Sequence, residues 1–277
     1  ATPALPTPSP KSKMCWCPLV SISALIGVLA AMLAIQDPQP EGDVRMGSGQ
    51  MFDHIAPTYD LLNRVMSLGM DMSWRETLVQ ELNLKGSEVV LDLATGTADV
   101  ALTLLKHHEG LQVQGVDPSS EMLSIGREKV RQRGLEASIS LSEGDAAALS
   151  RVKNDSCDII TMSFGIRNVE AEKRPQVFAE AHRVLRESPE SQLAIMEFAE
   201  PREGVMGILA RAFVRYLVPA IGFVGSGDAA AYQHLQKSIG SFPSPDDFQA
   251  LLAGPDPAQT YHFEITKRRA LLFGVVQ

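Results

Sequence analysis

The chain has little cysteine and no excess of basic charge, and each scarcity excludes a class of protein. Its 277 residues include three cysteines, Cys15, Cys17 and Cys157, which form neither a disulfide framework nor a metal-ligand spacing. Lysine and arginine total 25 against 33 aspartates and glutamates, a net charge of −8, which argues against a nucleic-acid-binding surface. We therefore expect no metal site and no nucleic-acid partner.

Glycine is scarce in the loop where a dinucleotide would need it. An apolar run, Val89–Leu93, precedes a loop of small residues and then the apolar spacing of a helix, which is the order strand, tight loop, helix. A dinucleotide-binding loop has three glycines beside a pyrophosphate, whereas here Gly96 lies between Ala94 and Ala98. Two methyl groups and the carboxylate of Asp99 disfavour a diphosphate but tolerate S-adenosylmethionine, which has no phosphate and carries a positive sulfonium. The loop favours a methyl donor over NAD; an ordinary strand-to-helix loop is the alternative.

Acidic residues follow the next two predicted strands. Asp117 ends the second strand, where an acid in a doubly wound sheet accepts hydrogen bonds from ribose hydroxyls. Asp145 and Ala146 follow the third strand, at a position from which a loop acid or amide can bond the adenine amino group. Capping of a turn is the alternative role for Asp145. Together with the first loop, these residues predict a site for a nucleoside cofactor.

Apolar runs alternate with helical periodicity through the middle of the chain. The pattern predicts strands over 88–93, 111–116, 138–142, 157–163 and 191–198, and helices over 98–107, 119–133 and 171–186. This alternation predicts an α/β protein with a doubly wound, Rossmann-like fold, in which helices cover both faces of a mostly parallel sheet. Residues 51–84 have helical spacing, and we expect 246–276 to return strands that close the edge of the sheet.

The first fifty residues differ from the rest. Residues 15–35 are 21 residues without a charge, long enough to cross the hydrocarbon layer of a membrane or to form the apolar part of a cleaved targeting signal. We therefore expect 1–50 to be a targeting or membrane-anchor tail with its linker, and 51–277 to be the methyltransferase domain. Within it, the apolar segment 204–245 predicts a substrate-binding or lid insertion; a core helix carrying solvated arginines is the alternative.

An ordered set of short motifs extends along the domain. They are Phe52-Asp53, Ile55-Ala56, Tyr59-Asp60, Asn63, Ser67, Gly69, Trp74-Arg75, Gly115-Val116-Asp117, Ser163-Phe164-Gly165-Ile166-Arg167-Asn168-Val169, Glu197-Phe198 and Gly227-Asp228, then Tyr232, Leu235, Ser238-Ile239 and Phe242-Pro243. Together they resemble the ubiquinone/menaquinone biosynthesis C-methyltransferases over about residues 50–276, and the run from Ser163 to Val169 is the most specific of them.

The resemblance implies S-adenosylmethionine-dependent methyl transfer to a ring carbon of a polyprenylated quinol. Carried over residue by residue, it implies that the methyl donor is bound by Gly96, Thr97, Asp117, Asp145, Ala146 and Ser163. It gives the catalytic roles to Tyr59, Arg167 and Asn168. A ring carbon becomes nucleophilic when the hydroxyl beside it ionises, which for phenols occurs near pH 10. The guanidinium of Arg167 can favour the oxyanion; an ion pair with Glu170 is its alternative role. Asp60 and Asn63 are either catalytic or helix-capping.

The sequence departs from the family pattern at several positions. Ala98 stands where glycine is usual and is expected to add a methyl group beside the donor. Asp71 replaces a histidine, which puts an acid–base role there in doubt. Residues 187–190 and 266–269 replace glycine-containing stretches. None of these changes removes a donor-binding acid, so we expect an active enzyme.

Other functions stay open at this stage. A methyltransferase of the same fold could act on a sterol or tocopherol precursor, and a scaffold in a quinone-synthesis complex could have lost donor binding. A demethylmenaquinol-type acceptor is favoured over a benzoquinol. The tail predicts a membrane-associated organellar protein, with a plastid favoured over the mitochondrial inner membrane. Assembly into a quinone-synthesis complex or a homodimer is the remaining expectation.

Overall fold

A computed structural model of the protein describes residues 47–199, 229–254 and 261–271, together with residues 208, 211, 212 and 276. Its centre is a parallel sheet of five strands in the order β3-β2-β1-β4-β5. The strands are β1 (Val89–Leu93), β2 (Gln112–Asp117), β3 (Ile139–Glu143), β4 (Ile159–Ser163) and β5 (Gln192–Met196). The strand order reverses between β1 and β4, and this is where ligands bind in open α/β sheets.

Seven α-helices surround the sheet in the part of the chain that the structure describes. They are α1 (Gly49–Met66), α2 (Met70–Glu81), α3 (Asp99–His107), α4 (Ser120–Gln132), α5 (Arg174–Val184), α6 (Ala229–Ser241) and α7 (Pro245–Ala253). Val90 packs with apolar residues of α2, α3 and α4, whereas its neighbour Leu91 packs with α5. Because adjacent strand residues point to opposite faces, the sheet is covered on both sides, and the predicted doubly wound α/β fold is confirmed.

The helical structure expected over 51–84 is confirmed for most of that range, and it is divided into two helices, α1 and α2. Backbone bonds from Ser67 and Gly69 to the end of α1 close its last turn. Leu68 and Gly69 then take positive φ angles of 53° and 78°, which reverse the chain into α2. Glycine adopts this conformation without steric cost, so Gly69 was the available signal for the break.

The strands expected over 246–276 are also not the main structure of that range. Residues 245–253 form α7, whose first turn is capped by the Ser244 hydroxyl accepting from the backbone N–H of Asp247, with Pro245 at the start of the helix. Among the described residues, Val276 makes only isolated bridges, to Phe198 and to Leu271. The helix-start signals at Ser244 and Pro245 therefore describe this segment better than its apolar pattern, which had predicted strands.

Two further expectations fall largely outside the described residues. The uncharged run at 15–35 lies wholly outside them, and no helix that is described has both the length and the apolar character needed to cross a membrane. Of the segment 204–245, the structure describes residues 208, 211 and 212 as helical, and then residues 229–245, which include α6.

Candidate active site

A cleft opens at the carboxyl edge of the sheet, where β1 and β4 diverge. It encloses about 920 Å³ when the open space at its mouth is included. Its wall includes Ala94 and Gly96 after β1, Asp117 at the end of β2 and Pro118 after it, Asp145 and Ala146 after β3, Ser163 at the end of β4 with Phe164 and Asn168 after it, and Ser48 before α1 with Phe52 and Tyr59 within α1. The cleft thus brings together seven of the nine predicted site residues; Thr97 and Arg167 are the two outside it.

The loop after β1 turns tightly beneath this cleft. Ala94, Gly96 and Ala98 all have positive φ angles, of 51°, 54° and 67°, a conformation that is uncommon for alanine. A Cβ atom added to Gly96 would meet nothing within 4 Å, so the backbone of Gly96 faces open space. Its N–H donates to the Oδ2 atom of Asp117 at 2.8 Å, which joins the loop to the end of β2.

Asp117 is held at the bottom of the cleft by the backbone. Besides the bond from Gly96, its Oδ1 atom accepts from the N–H of Ser119 at 2.8 Å. Burial raises the pKa of this carboxyl to about 6 against the effect of those two hydrogen bonds, so it is ionised at neutral pH. Because each carboxylate oxygen can accept two hydrogen bonds, each oxygen can still accept one from a ribose hydroxyl.

Two hydroxyl groups in the cleft wall have no partner. The Oγ atoms of Ser48 and Ser163 are buried and make no hydrogen bond within the described structure, and both residues line the cleft. Unpaired buried hydroxyls carry a desolvation cost, which a polar ligand in the cleft would relieve. The residues present therefore fit a nucleoside ligand with several hydrogen-bonding groups.

Asp145 caps its own turn and also lines the cleft. Its Oδ1 atom accepts from the N–H of Ala147 at 2.8 Å, which caps the turn after β3. The residue is nevertheless exposed at the cleft beside Ala146. A side chain that is held by its own turn and lines the cleft can present its second oxygen to a ligand.

Thr97 is turned away from the cleft. Its hydroxyl donates to Asp60 at 2.8 Å and accepts from the Lys129 ammonium at 2.9 Å. Asp99, whose carboxylate was expected to disfavour a diphosphate, bonds Lys129 at 2.8 Å and Arg64 at 2.7 Å. The side chain of Thr97 thus contributes to an ion network between helices. Asp60 belongs to the same network and does not cap α1.

Ala98 and Asp71 also serve the structure rather than the ligand. The Ala98 side chain is completely buried against α4, where a Cβ atom on Gly126 would come within 3.3 Å of it. The expectation of a methyl group beside the donor is therefore wrong. Asp71 is buried and paired with Arg64 and, at 2.8 Å, with Arg75, so its carboxylate joins α1 to α2.

Arg167 lies behind the cleft wall instead of in it. Its Nη1 atom donates to Glu197 at 2.7 Å and to the carbonyl of Phe164 at 2.6 Å, and its backbone N–H donates to Glu197 at 3.1 Å. Both side chains are buried. The ion pair is made with Glu197 rather than with Glu170, and sequence reasoning did not assign Glu197 a role. Its place directly after β5, at the same edge of the sheet, was the available signal.

Tyr59 and Asn168 line the cleft as expected. Burial raises the pKa of the Tyr59 hydroxyl, while the positive charges of Arg167 and Arg75 and a hydrogen bond with Asn63 act in the opposite direction. The charge of Arg167 is therefore felt at the cleft wall although its side chain is not part of it. Asn63, left open between catalysis and capping, lies close enough to lower the pKa of the Tyr59 hydroxyl.

Comparison with known proteins gives one consistent family. The model of the ubiE/COQ5 methyltransferase family matches residues 42–266. A demethylmenaquinone methyltransferase of Thermus thermophilus is 38% identical over 203 residues, which cover 73% of this chain and 89% of that protein. The ubiquinone/menaquinone biosynthesis C-methyltransferase UbiE of Geotalea uraniireducens is 37% identical, covering 78% and 90%. A demethylmenaquinone methyltransferase of Deinococcus radiodurans is 36% identical, covering 88% and 96%.

One solved structure supports the fold independently of close sequence similarity. The [4+2]-cyclase SpnF aligns with a TM-score of 0.52 at 18% sequence identity, over 68% of this chain and 89% of that one. At this identity the likeness concerns the arrangement of strands and helices alone.

Proposed function

Because the chain belongs to the ubiE/COQ5 methyltransferase family and is an S-adenosylmethionine-dependent C-methyltransferase, we propose that it methylates a ring carbon of a polyprenylated quinol in quinone biosynthesis. We favour a demethylmenaquinol-type naphthoquinol, since the relatives from Thermus thermophilus and Deinococcus radiodurans are named for demethylmenaquinone. A benzoquinol is the second candidate, because the relative from Geotalea uraniireducens is named for ubiquinone as well as menaquinone.

The proposal is carried by the donor half of the cleft, whose wall contains an ionised acid and two buried hydroxyls that have no partner among the described residues. S-adenosylmethionine supplies a methyl group activated by its sulfonium. In our assignment Asp117 bonds the ribose hydroxyls, Asp145 and Ala146 lie along the adenine, and the Ser48 and Ser163 hydroxyls bond the remaining polar atoms. Gly96 lets the loop backbone approach the ligand closely.

The acceptor half of the cleft is assigned to Asn168 and Tyr59. The quinol hydroxyl must lose its proton for the adjacent ring carbon to become a strong nucleophile. The guanidinium of Arg167, held by Glu197 behind the wall, is a fixed positive charge that favours the oxyanion. The amide of Asn168 can donate to the same oxygen. Arg167 therefore acts in this proposal through its field and not by contact.

The deciding experiment compares acceptors with purified full-length protein and S-adenosylmethionine. A demethylnaphthoquinol, a demethylbenzoquinol and a tocopherol precursor, each with a short prenyl tail, are tested in parallel, and methylated products are identified by mass. We expect the naphthoquinol to give the highest kcat/KM. If only the tocopherol precursor were methylated, the proposed substrate would be wrong and the alternative apolar acceptor would take its place. Absence of both donor binding and methylated product would favour the non-catalytic scaffold.

We also propose that residues 1–50 direct the protein to a membrane, in an organelle such as a plastid or mitochondrion. The support is the run of 21 uncharged residues at 15–35, since a substrate with a prenyl tail resides in a bilayer. A fluorescent protein carrying residues 1–50 should enter the membrane fraction of an organelle; a uniform cytosolic signal would contradict the proposal. Light scattering of the purified protein would separate a homodimer from a monomer.

A further inference from the structure

His234 of α6 reaches the cleft from outside its wall. Its Nε2 atom lies 3.3 Å from the Oδ1 atom of Asn168, the residue that we assign to the acceptor. The imidazole also fills the space beside Gly47, where an added Cβ atom would lie 2.9 Å from Nε2. Three segments therefore meet at this ring: α6, the 3₁₀ turn Ile166–Asn168, and Gly47, which precedes α1.

The surroundings of His234 keep the imidazole neutral at neutral pH. Burial lowers its pKa, and so do the positive charges of Arg167 in the 3₁₀ turn and Lys237 on α6. A neutral imidazole has one N–H and one acceptor nitrogen. With the proton on Nε2, the ring donates to Asn168, because the Oδ1 atom can only accept.

This bond selects one orientation of the Asn168 amide. With Oδ1 held by His234, the Nδ2 group is the end that remains for other partners, and it lies 3.5 Å from the carbonyl oxygen of Phe164. That contact is long, so the amide of Asn168 depends on His234 for its orientation. A rotated amide would present an acceptor to the oxyanion instead of a donor, and the two would repel.

We propose that His234 is a positioning residue for methyl transfer: it fixes the Asn168 amide so that the amide N–H groups serve the oxygen of the acceptor. The inference rests on the proposed function for the identity of the acceptor. It assigns His234 no contact with the donor. Replacing His234 should therefore lower turnover without changing the binding of S-adenosylmethionine.

The test measures kcat, the KM of the quinol and the Kd of S-adenosylmethionine for His234→Phe and His234→Gln. The loss of one hydrogen bond to the reacting oxygen corresponds to about a tenfold fall in kcat, which we expect for phenylalanine with a donor Kd within twofold of the parent. Glutamine can donate from its amide, and we expect it to recover most of the activity. His262→Phe is the matched control, because His262 is exposed and bonds only the carbonyl of Ala253 among described contacts.

A double-mutant cycle with Asn168→Ala decides whether His234 acts through Asn168. If it does, His234→Phe causes no further loss of kcat once Asn168 is alanine; independent, multiplicative losses would overturn the proposal, as would an unchanged kcat in His234→Phe. Should that variant fail to fold, His234→Ala removes the imidazole without adding bulk, and the same fall in kcat is expected. If the parent protein methylates no quinol, the proposed function fails, and the His234–Asn168 bond is then tested by whether Asn168→Ala shifts the ¹⁵N resonance of Nε2.

Discussion

Two acidic residues at the carboxyl edge of the sheet, Asp117 and Asp92, are buried although their side chains carry a negative charge. Asp117 is only 7% exposed and Asp92 only 1%, and burial raises the pKa of each carboxyl to about 6. Both are therefore ionised at neutral pH in surroundings that favour the neutral acid. The ligand-binding role that we propose for Asp117 explains this cost. Asp92 bonds only the hydroxyls of Thr95 and Thr161 among described residues, and so supports the loop from beneath.

Asp117→Ala is expected to weaken the binding of S-adenosylmethionine more than tenfold, because two hydrogen bonds from the ribose to an ionised acid are lost. Isothermal calorimetry measures the change directly. Asp145→Ala should weaken binding less, since Asp145 is exposed and offers one free oxygen. A dissociation constant unchanged in Asp117→Ala would remove the ribose assignment.

Asp92→Asn is expected to stabilise the protein at neutral pH. A carboxyl whose pKa is raised on folding favours the folded state below its unfolded pKa and loses that contribution as the pH rises through about 6. Replacement by the uncharged amide should therefore raise the free energy of unfolding by about 2 kcal/mol at pH 7.5, and by less at pH 4.5. Urea denaturation at both pH values measures this difference; an equal effect at both would mean that the charge of Asp92 is not responsible.

Helices α1 to α4 are joined at the element scale by one ion network. Asp60 and Arg64 come from α1, Asp71 from α2, Asp99 from α3 and Lys129 from α4. Because α1 also carries Tyr59 into the cleft wall, the network sets the position of that wall. Arg75 of α2 also pairs with Asp71, so three cations serve three acids, and removing one cation leaves partly buried negative charge without compensation.

Lys129→Met is expected to lower the free energy of unfolding by about 2 kcal/mol at pH 7. Burial alone would raise the pKa of Asp99, but the charges of Lys129 and Arg75 and a hydrogen bond from Arg64 hold it at about 2. A depressed carboxyl pKa contributes stability above its unfolded value, near 4, and loses it as the pH falls toward 2. The difference between variant and parent should therefore shrink between pH 4 and pH 2.

The matched control for this network is Lys106→Met. Lys106 also pairs with a carboxylate, that of Glu76, but its side chain is 66% exposed. Exposed pairs contribute little, so this variant should lose less than about 0.5 kcal/mol. Equal losses for Lys106 and Lys129, measured by thermal or urea unfolding, would mean that the network adds nothing beyond its individual surface pairs.

For the whole molecule, donor binding and folding are linked through the cleft. The wall is drawn from the loops after β1 to β4 and from α1, so the cleft exists only when these segments are folded together. A ligand that binds only the folded state at a hundred times its Kd adds about 2.7 kcal/mol to the free energy of unfolding. For a chain of this length we expect the melting temperature to rise by about 5 °C.

Differential scanning fluorimetry with increasing S-adenosylmethionine checks this prediction, with Asp117→Ala as the comparison. The shift should follow the donor concentration in the parent protein and be much smaller in the variant at the same concentrations. An unaltered melting temperature in the parent at millimolar donor would contradict donor binding and favour the scaffold.

The sheet could be predicted from the sequence because each strand is an apolar run with its own turn signals, as at Val89–Leu93 before Gly96. The place of Asp117 and Asp145 in the cleft wall could be predicted for the same reason, since Asp117 ends one strand and Asp145 comes shortly after the next. The partner of Arg167 could not, because Glu197 is 30 residues away and only the pairing of β4 with β5 brings them together. The direction of the Ala98 methyl group depends on Gly126, which no local pattern reveals.

The buried pair of Arg167 and Glu197 has a consequence for how this sequence can change. Neither position tolerates a neutral residue alone, because the remaining charge would be isolated in the interior. We therefore expect the two positions to be epistatic: the effect of a substitution at one depends on the residue at the other, and stable variants change both residues or neither. An alanine at Arg167 by itself will lower activity through misfolding as much as through chemistry. Only substitutions made in a background with Glu197 already neutral can isolate what the guanidinium contributes to methyl transfer.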